Sequence, residues 1–81
     1  MIHAPTLHDD RWWSIDAPFC QITIERRPPY CDRGRYLAKV FPRGRFALEF
    51  DEADGWPRYY FDWDRMLAEI EAWLQMREEQ P

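Results

Sequence analysis

The side chains able to hold a metal ion lie in the first 31 residues of the sequence. They are His3, His8, Cys20 and Cys31. Structural zinc sites draw their ligands in close pairs two to four residues apart, and neither the histidines nor the cysteines have that spacing. The sequence therefore predicts no metal and no cofactor, with the histidines in a frayed terminus, Cys20 as a core thiol and Cys31 in a loop.

Groups for other kinds of catalysis are sparse. A nucleophilic mechanism needs a base beside its nucleophile, and the only serine is Ser14. The three glycines form no G-x-G arrangement of the kind that cradles phosphates. Carboxylates are plentiful, but acids in a loop and at a helix start are usually solvated or capping. We expect a protein without enzymatic activity.

A second chemistry is that of arginine beside aromatic rings, which can hold phosphates and stack bases. The basic residues are interleaved with Tyr30, Tyr36 and Phe41. A small nucleic-acid-binding module is therefore one interpretation, although the net charge of −4 disfavours it. The residues that would serve it are Arg33, Arg35, Arg43 and Arg45.

The charges are unevenly distributed along the chain. Residues 1–46 carry eight basic and five acidic side chains, whereas residues 47–81 carry three and ten. Aromatic residues flanked by charge can anchor and orient a partner, and an acidic, aromatic surface suits a basic groove. This hypothesis requires the two signs to be segregated on the folded molecule. The predicted partner-binding residues are Asp51, Glu52, Asp54, Trp56, Tyr59, Asp62 and Glu69.

Strand patterns occupy the middle of the chain. Cys20, Ile22 and Ile24 alternate with polar residues, which is the period of a half-buried strand. Residues 36–41 and 45–50 flank a Pro-Arg-Gly turn, which predicts a hairpin with one apolar side. The pairs expected on that side are Tyr36 with Phe50, Ala38 with Leu48 and Val40 with Phe46. Leu37 and Phe41 point the other way, toward solvent or a partner.

A helix is predicted from about residue 65 to about residue 78. Apolar residues recur there at intervals of three and four, and either Asp62 or Asp64 supplies the N-cap. Residues 58–61 form either a short fourth strand or an extended lead-in to that helix. Trp12 and Trp13 would cover an open end of the core. The expected fold class is α+β, a three- to four-stranded antiparallel meander packed against one C-terminal helix.

A chain of 81 residues can form one domain, with residues 1–10 expected to be a flexible N-terminal arm. Two cysteines are too few for a disulfide framework, so both thiols are expected to be free in a reducing compartment. No apolar run is long enough to cross a bilayer, and no signal peptide is recognisable. These observations predict a cytoplasmic protein that does not enter a membrane.

A short, acidic, aromatic-rich domain of this kind resembles the accessory proteins of bacteriophages and prophages, among which are the anti-CRISPR proteins. The distinctive segment is residues 51–62, DEADGWPRYYFD. The resemblance is one of overall kind, and no functional residue of that group maps onto this sequence. It implies a non-enzymatic inhibitor that blocks an RNA-guided surveillance complex in the bacterial host cytoplasm.

The partner expected from these observations is therefore a host protein or ribonucleoprotein complex that handles nucleic acid. Direct binding of nucleic acid ranks behind it. The chain itself is expected to be a monomer or a weak homodimer, and the sequence leaves open whether Leu37 and Phe41 face solvent or form a dimer contact.

Overall fold

The protein is an antiparallel sheet with one helix laid across it, as seen in a computed structural model that describes residues 4–42 and 55–79. The strands are β1 (Thr6–His8), β2 (Trp12–Asp16), β3 (Cys20–Arg26), β4 (Tyr36–Pro42) and β5 (Arg58–Tyr60), and the helix is α1 (Trp63–Glu79). The strand order in the sheet is β1-β2-β3-β4-β5. This confirms the α+β fold class, with five strands in the described ranges rather than three or four.

The core lies between one face of the sheet and α1. Cys20, Ile22 and Ile24 of β3 are fully buried, as their alternation predicts, and Ile15 of β2 and Ala38 of β4 join them. From the helix, the buried side chains are Met66, Ile70, Trp73 and Leu74. Burial of these apolar groups is the main source of the fold's stability.

The helix begins where a carboxylate caps it. Asp62 Oδ2 accepts a hydrogen bond of 2.9 Å from the Arg65 amide, and Met66 N donates to the Asp62 carbonyl. Asp62 is therefore the N-cap, and Asp64 lies in the first turn, where its charge complements the helix dipole. The helix thus starts two residues earlier than its apolar pattern predicts.

Aromatic side chains close both ends of the core. Trp63 of α1 contacts Trp13 at 4.7 Å and Tyr36 at 5.1 Å between ring centroids. Trp73 contacts Trp56 at 5.5 Å, and Phe19 at 6.2 Å, at the other end. The edge and tilted geometries of these contacts are those that aromatic pairs prefer.

Residues 6–10 form a strand and a turn within the segment that the sequence predicted to be a flexible arm. Thr6–His8 form β1, paired with β2 through His8 and Trp12. Asp9 and Asp10 make the connecting turn with φ angles of 51° and 56°, a left-handed conformation that aspartate tolerates better than most residues. Trp12 likewise belongs to a strand rather than to a cover for the core.

The hairpin pairing expected for β4 is wrong at Tyr36 and Ala38. Along residues 36–38, β4 is hydrogen-bonded to β3 on one side and to β5 on the other, with Tyr36 opposite Tyr60 and Ala38 opposite Arg58. The backbone of both residues is therefore paired on its two sides, and neither has a free side for the partner predicted from the turn. The second half of that hairpin, residues 45–50, lies outside the described residues. Residues 58–60 are thus a strand and not a lead-in.

The exposure of Leu37 and Phe41 and the state of the two cysteines bear on smaller expectations. Leu37 is only 6% exposed and so offers no dimer contact, whereas Phe41 is 49% exposed. Cys20 and Cys31 are both free thiols, as predicted. No helix within the described ranges is long and apolar enough to span a membrane.

Candidate functional site

An open depression of about 540 Å³ lies where β5 meets the start of α1. It gathers three of the predicted partner-binding residues, Tyr59, Asp62 and Glu69. The remaining lining residues are Arg58, Tyr60, Phe61 and Arg65. The alternation of β5 and the cap of the helix place these side chains around one opening.

Glu69 is held by cationic and hydroxyl groups on three sides. Its Oε2 lies 3.0 Å from Arg65 Nε, one helical turn away, and its Oε1 lies 3.6 Å from an Arg58 nitrogen. The Tyr60 hydroxyl donates to Oε1 at 3.1 Å. The Arg65 hydrogen bond, more than any other contact, lowers the pKa of Glu69, so the carboxylate is charged and its charge is locally balanced.

Arg58 is fixed by its own surroundings. Its guanidinium lies over the Trp56 ring at 4.3 Å and donates through Nε to the Gly55 carbonyl at 3.1 Å. It also donates to the Tyr60 hydroxyl, at 3.5 Å. A guanidinium stacked on an indole loses little freedom when it meets a partner, because much of its ordering precedes binding.

Trp56 packs against the core, whereas the sequence placed it among the residues that bind a partner. It is half-buried, packs against the core through Trp73 and does not line the depression. Its Nε1 is buried and has no hydrogen-bond partner in the described residues. One face of the ring is occupied by Arg58, so Trp56 supports the depression from beneath.

Phe61 is the apolar side chain that sequence reasoning missed. It is 62% exposed and stands between Tyr60 and Asp62 on the rim. The signal was present in the chain, because alternation along β5 puts Tyr60 in the core and leaves its neighbours facing outward. Large exposed aromatic residues at a polar rim are typical of binding sites.

The expected segregation of charge is not what the described surface shows. Arg58 and Arg65 line the same depression as Asp62 and Glu69, and both arginines contact Glu69, so the depression is of mixed sign. The other predicted acids, Asp51, Glu52 and Asp54, lie outside the described residues. Arg58 was missed because only the tertiary packing of β5 on α1 brings it to Glu69. Arg65 precedes Glu69 by four residues on the predicted helix, so that spacing was a signal that could have found it.

The predicted nucleic-acid residues fall into separate places. The Arg33 guanidinium lies over the Tyr59 ring at 5.7 Å, whereas Arg35 lines a second depression with Arg26, Arg27, Pro29 and Tyr36. Arg43 and Arg45 lie outside the described residues. The four residues are therefore not seen as one surface.

Two groups with catalytic chemistry do meet on the outer face of the sheet. His8 Nε2 and Ser14 Oγ are 2.8 Å apart, and the His8 ring stacks on Trp12 at 4.1 Å. His8 is thus in a strand and not in a frayed terminus. Ser14 is only 5% exposed, however, so its hydroxyl is shielded from a substrate and the bond serves to tie β1 to β2. The described residues contain no cluster of three metal-ligating side chains.

The Cys31 thiol occupies the loop between β3 and β4. The Arg33 backbone amide, and secondarily the Arg27 side chain and the Gly34 amide, lower the pKa of Cys31 by favouring its thiolate. It is partly exposed, unlike Cys20.

Comparisons with models of protein families, with curated proteins and with solved structures give no significant match.

Proposed function

We propose that this chain is a non-enzymatic binding protein that docks on a nucleic-acid-handling complex of a bacterial host and inhibits it in the host cytoplasm. The specific case is an anti-CRISPR role, in which the partner is an RNA-guided surveillance complex. The observation that supports this proposal is the depression between β5 and α1, where exposed Phe61 stands among fixed charges.

The chemistry of the depression suits a protein partner. Phe61 supplies an apolar anchor, and truncation of such an anchor costs on the order of 2 kcal/mol of binding free energy or more. Arg58, Arg65 and Glu69 are already held by neighbours, so the charged groups around the anchor are ordered before the partner arrives. Mixed charge then selects a partner by pattern rather than by overall sign.

Asp51, Glu52 and Asp54 remain part of the proposal because they directly precede Gly55 in the chain. The Gly55 carbonyl accepts a hydrogen bond from Arg58 at the base of the site. An acidic contribution from this segment would favour a basic groove of the kind that receives target DNA. It is tested with its own variant, Asp51→Asn/Glu52→Gln/Asp54→Asn.

The test is inhibition and binding measured together. The wild-type chain is expressed in bacteria with an active RNA-guided defence, and phage plaquing is compared with an empty-vector strain. The purified chain is then titrated against purified surveillance complexes. We expect restored plaquing, and affinity that falls about 30-fold in Phe61→Ala.

Phe41→Ala is the matched control, since Phe41 is an exposed phenylalanine outside the depression. It should bind as wild type does. Equal affinities for Phe61→Ala, the triple acid variant and wild type, with all three folded, would show that docking does not use this surface. Failure of the wild-type chain to bind or inhibit any complex tested would overturn the proposed function.

A further inference from the structure

A cleft lined by three arginines lies at the end of the sheet where β3 ends and β4 begins. Arg26 pairs with Tyr36 in the register, and the Arg27 amide donates to the Arg35 carbonyl at 2.7 Å. The backbone therefore sets Arg26, Arg27 and Arg35 at neighbouring positions. Together with Pro29 and Tyr36 they line a depression of about 330 Å³.

The positive charge of this cleft is poorly compensated. Within the described part of the chain, neither Arg26 nor Arg35 has an ion pair. Arg27 reaches Glu25 at 3.7 Å, but Glu25 also serves Lys39 at 3.4 Å. Two cations thus share one carboxylate, while two more guanidiniums have none among the residues that the structure describes. Like charges held this close favour an anionic ligand.

Arg27, which lines the cleft, also has a donor that lacks an acceptor. Arg27 Nε is buried and has no hydrogen-bond partner among the described residues. Arg26 is held over the Trp13 ring at 5.3 Å, which orients its guanidinium. Guanidinium forks match phosphate oxygens in geometry and charge better than any other side chain does. The chemistry of the cleft is therefore that of a phosphate receptor.

An exposed ring directly follows one of the lining residues of the cleft in the chain. Tyr30 is 87% exposed and follows Pro29, a lining residue of the cleft. The turn that carries it is closed by a hydrogen bond of 3.0 Å from the Cys31 amide to the Pro28 carbonyl. A ring that can stack on a base, next to groups that hold phosphate, is the arrangement found in proteins that bind single-stranded nucleic acid.

We propose that the cleft of Arg26, Arg27 and Arg35 binds a backbone phosphate of single-stranded nucleic acid, with Tyr30 stacking on an adjacent base. This site is separate from the depression around Phe61 and makes its own prediction. A protein docked on a nucleic-acid-handling complex would thereby also hold the strand that the complex handles.

The test is fluorescence anisotropy with a 3′-labelled, 12-nucleotide thymidine strand at 50 and 200 mM NaCl. Contact with one phosphate predicts that affinity falls about threefold over that range. Arg35→Gln should weaken binding about tenfold or more at 50 mM NaCl and make the salt dependence shallower. Arg77→Gln removes the same charge from the far part of α1 and should change neither quantity.

Two further measurements distinguish a single strand of nucleic acid from free inorganic phosphate as the ligand. Tyr30→Ala should weaken binding of the strand about fivefold or more while competition by inorganic phosphate is unchanged. A duplex of the same length should bind more weakly than the single strand. All variants are first checked for a wild-type melting transition, and Arg26→Gln replaces Arg35→Gln if that variant is unfolded.

The proposal is overturned by any of three results. One is no binding of the strand at 50 mM NaCl, and another is equal loss in Arg35→Gln and Arg77→Gln. The third is competition by inorganic phosphate with no dependence on Tyr30 and no preference for the single strand, which would leave a simple anion site. None of these results bears on docking through Phe61, so the two proposals fail separately.

Discussion

The Tyr60 hydroxyl donates a hydrogen bond of 3.1 Å to Glu69 Oε1, and this bond joins the edge strand β5 to the helix. Tyr60 is 8% exposed, and burial raises the pKa of its hydroxyl. The bond therefore lies at the boundary between the core and the depression. It is the contact through which the sheet and α1 fix the geometry of the candidate site.

Tyr60→Phe removes this hydroxyl while keeping the ring in the core. We expect the free energy of unfolding in urea to fall by about 1 kcal/mol, and by more if Glu69 is left without a replacement donor. Tyr30→Phe is the control, because Tyr30 is 87% exposed and should show no change. An unaltered unfolding midpoint in Tyr60→Phe would show that the bond contributes nothing to stability.

The lowered pKa of Glu69 predicts a dependence of stability on pH. A carboxyl group whose pKa is lower in the folded than in the unfolded state stabilises the fold above its unfolded pKa, about 4.3. That contribution disappears as pH falls through the folded pKa. The side chain is 38% exposed, so we expect less than about 1 kcal/mol.

The measurement for Glu69 is urea unfolding of wild type and Glu69→Gln between pH 6 and pH 3. The difference in unfolding free energy should be largest at pH 6 and should shrink toward pH 3. Asp32→Asn, which changes an exposed carboxyl group in a loop, serves as the control. A constant difference between wild type and Glu69→Gln across this range would contradict the assignment.

Asp62→Ala should destabilise the protein by about 1 kcal/mol, because the Arg65 amide then loses its acceptor at the helix start. Asp62→Asn should retain most of the stability, since asparagine caps almost as well. Asp64→Ala is expected to cost only about 0.3 kcal/mol through the helix dipole. Thermal unfolding, followed by circular dichroism, ranks the stabilities of the three variants. A larger loss of stability in Asp64→Ala than in Asp62→Ala would show that Asp62 is not the N-cap.

Gly34→Ala tests the packing of the loop against β5. A Cβ at this position would lie 2.8 Å from the Tyr60 carbonyl oxygen and 2.9 Å from its amide nitrogen, and these backbone atoms cannot move aside cheaply. We expect a loss of about 1–3 kcal/mol in unfolding free energy. A variant as stable as wild type would mean that the loop and β5 separate readily.

Cys31 should react with iodoacetamide at lower pH than an ordinary thiol. The rate, followed by mass spectrometry, should reach half its maximum at a lower pH than for a model thiol, because the Arg33 amide and then the Arg27 side chain lower the pKa of Cys31 by favouring the thiolate. Arg27→Gln should move that midpoint upward. Cys20 is fully buried and should remain unmodified until the protein unfolds. A midpoint at or above that of a model thiol would show that the pKa of Cys31 is not lowered.

Local patterns predicted the elements whose burial is periodic. The alternation of β3 and the three-and-four spacing of α1 are carried by the residues that meet in the core, so both could be recognised in isolation. The choice between Asp62 and Asp64 as N-cap could not, because both residue types cap helices and only backbone geometry separates them.

Pairing between distant segments was the part that the sequence could not provide. Tyr36 was predicted to pair with Phe50 across the neighbouring turn. In the structure it pairs with Tyr60 of β5, which is more distant in the chain. Glu69 was predicted to be a free acidic group because nothing local shows that Arg58 of β5 will face it. β1 was missed because three residues of mixed polarity give no periodic signal, and its turn depends on two aspartates in a left-handed conformation.

The strand order has a consequence for synthesis on the ribosome. Because each strand pairs with the one before it, β1 to β4 can assemble in the order in which they emerge, with short loops to close between them. The helix that covers Ile22 and Ile24 is translated after all five strands. A nascent chain therefore exposes the apolar face of the sheet until α1 leaves the exit tunnel, and chaperone binding would matter most during this interval.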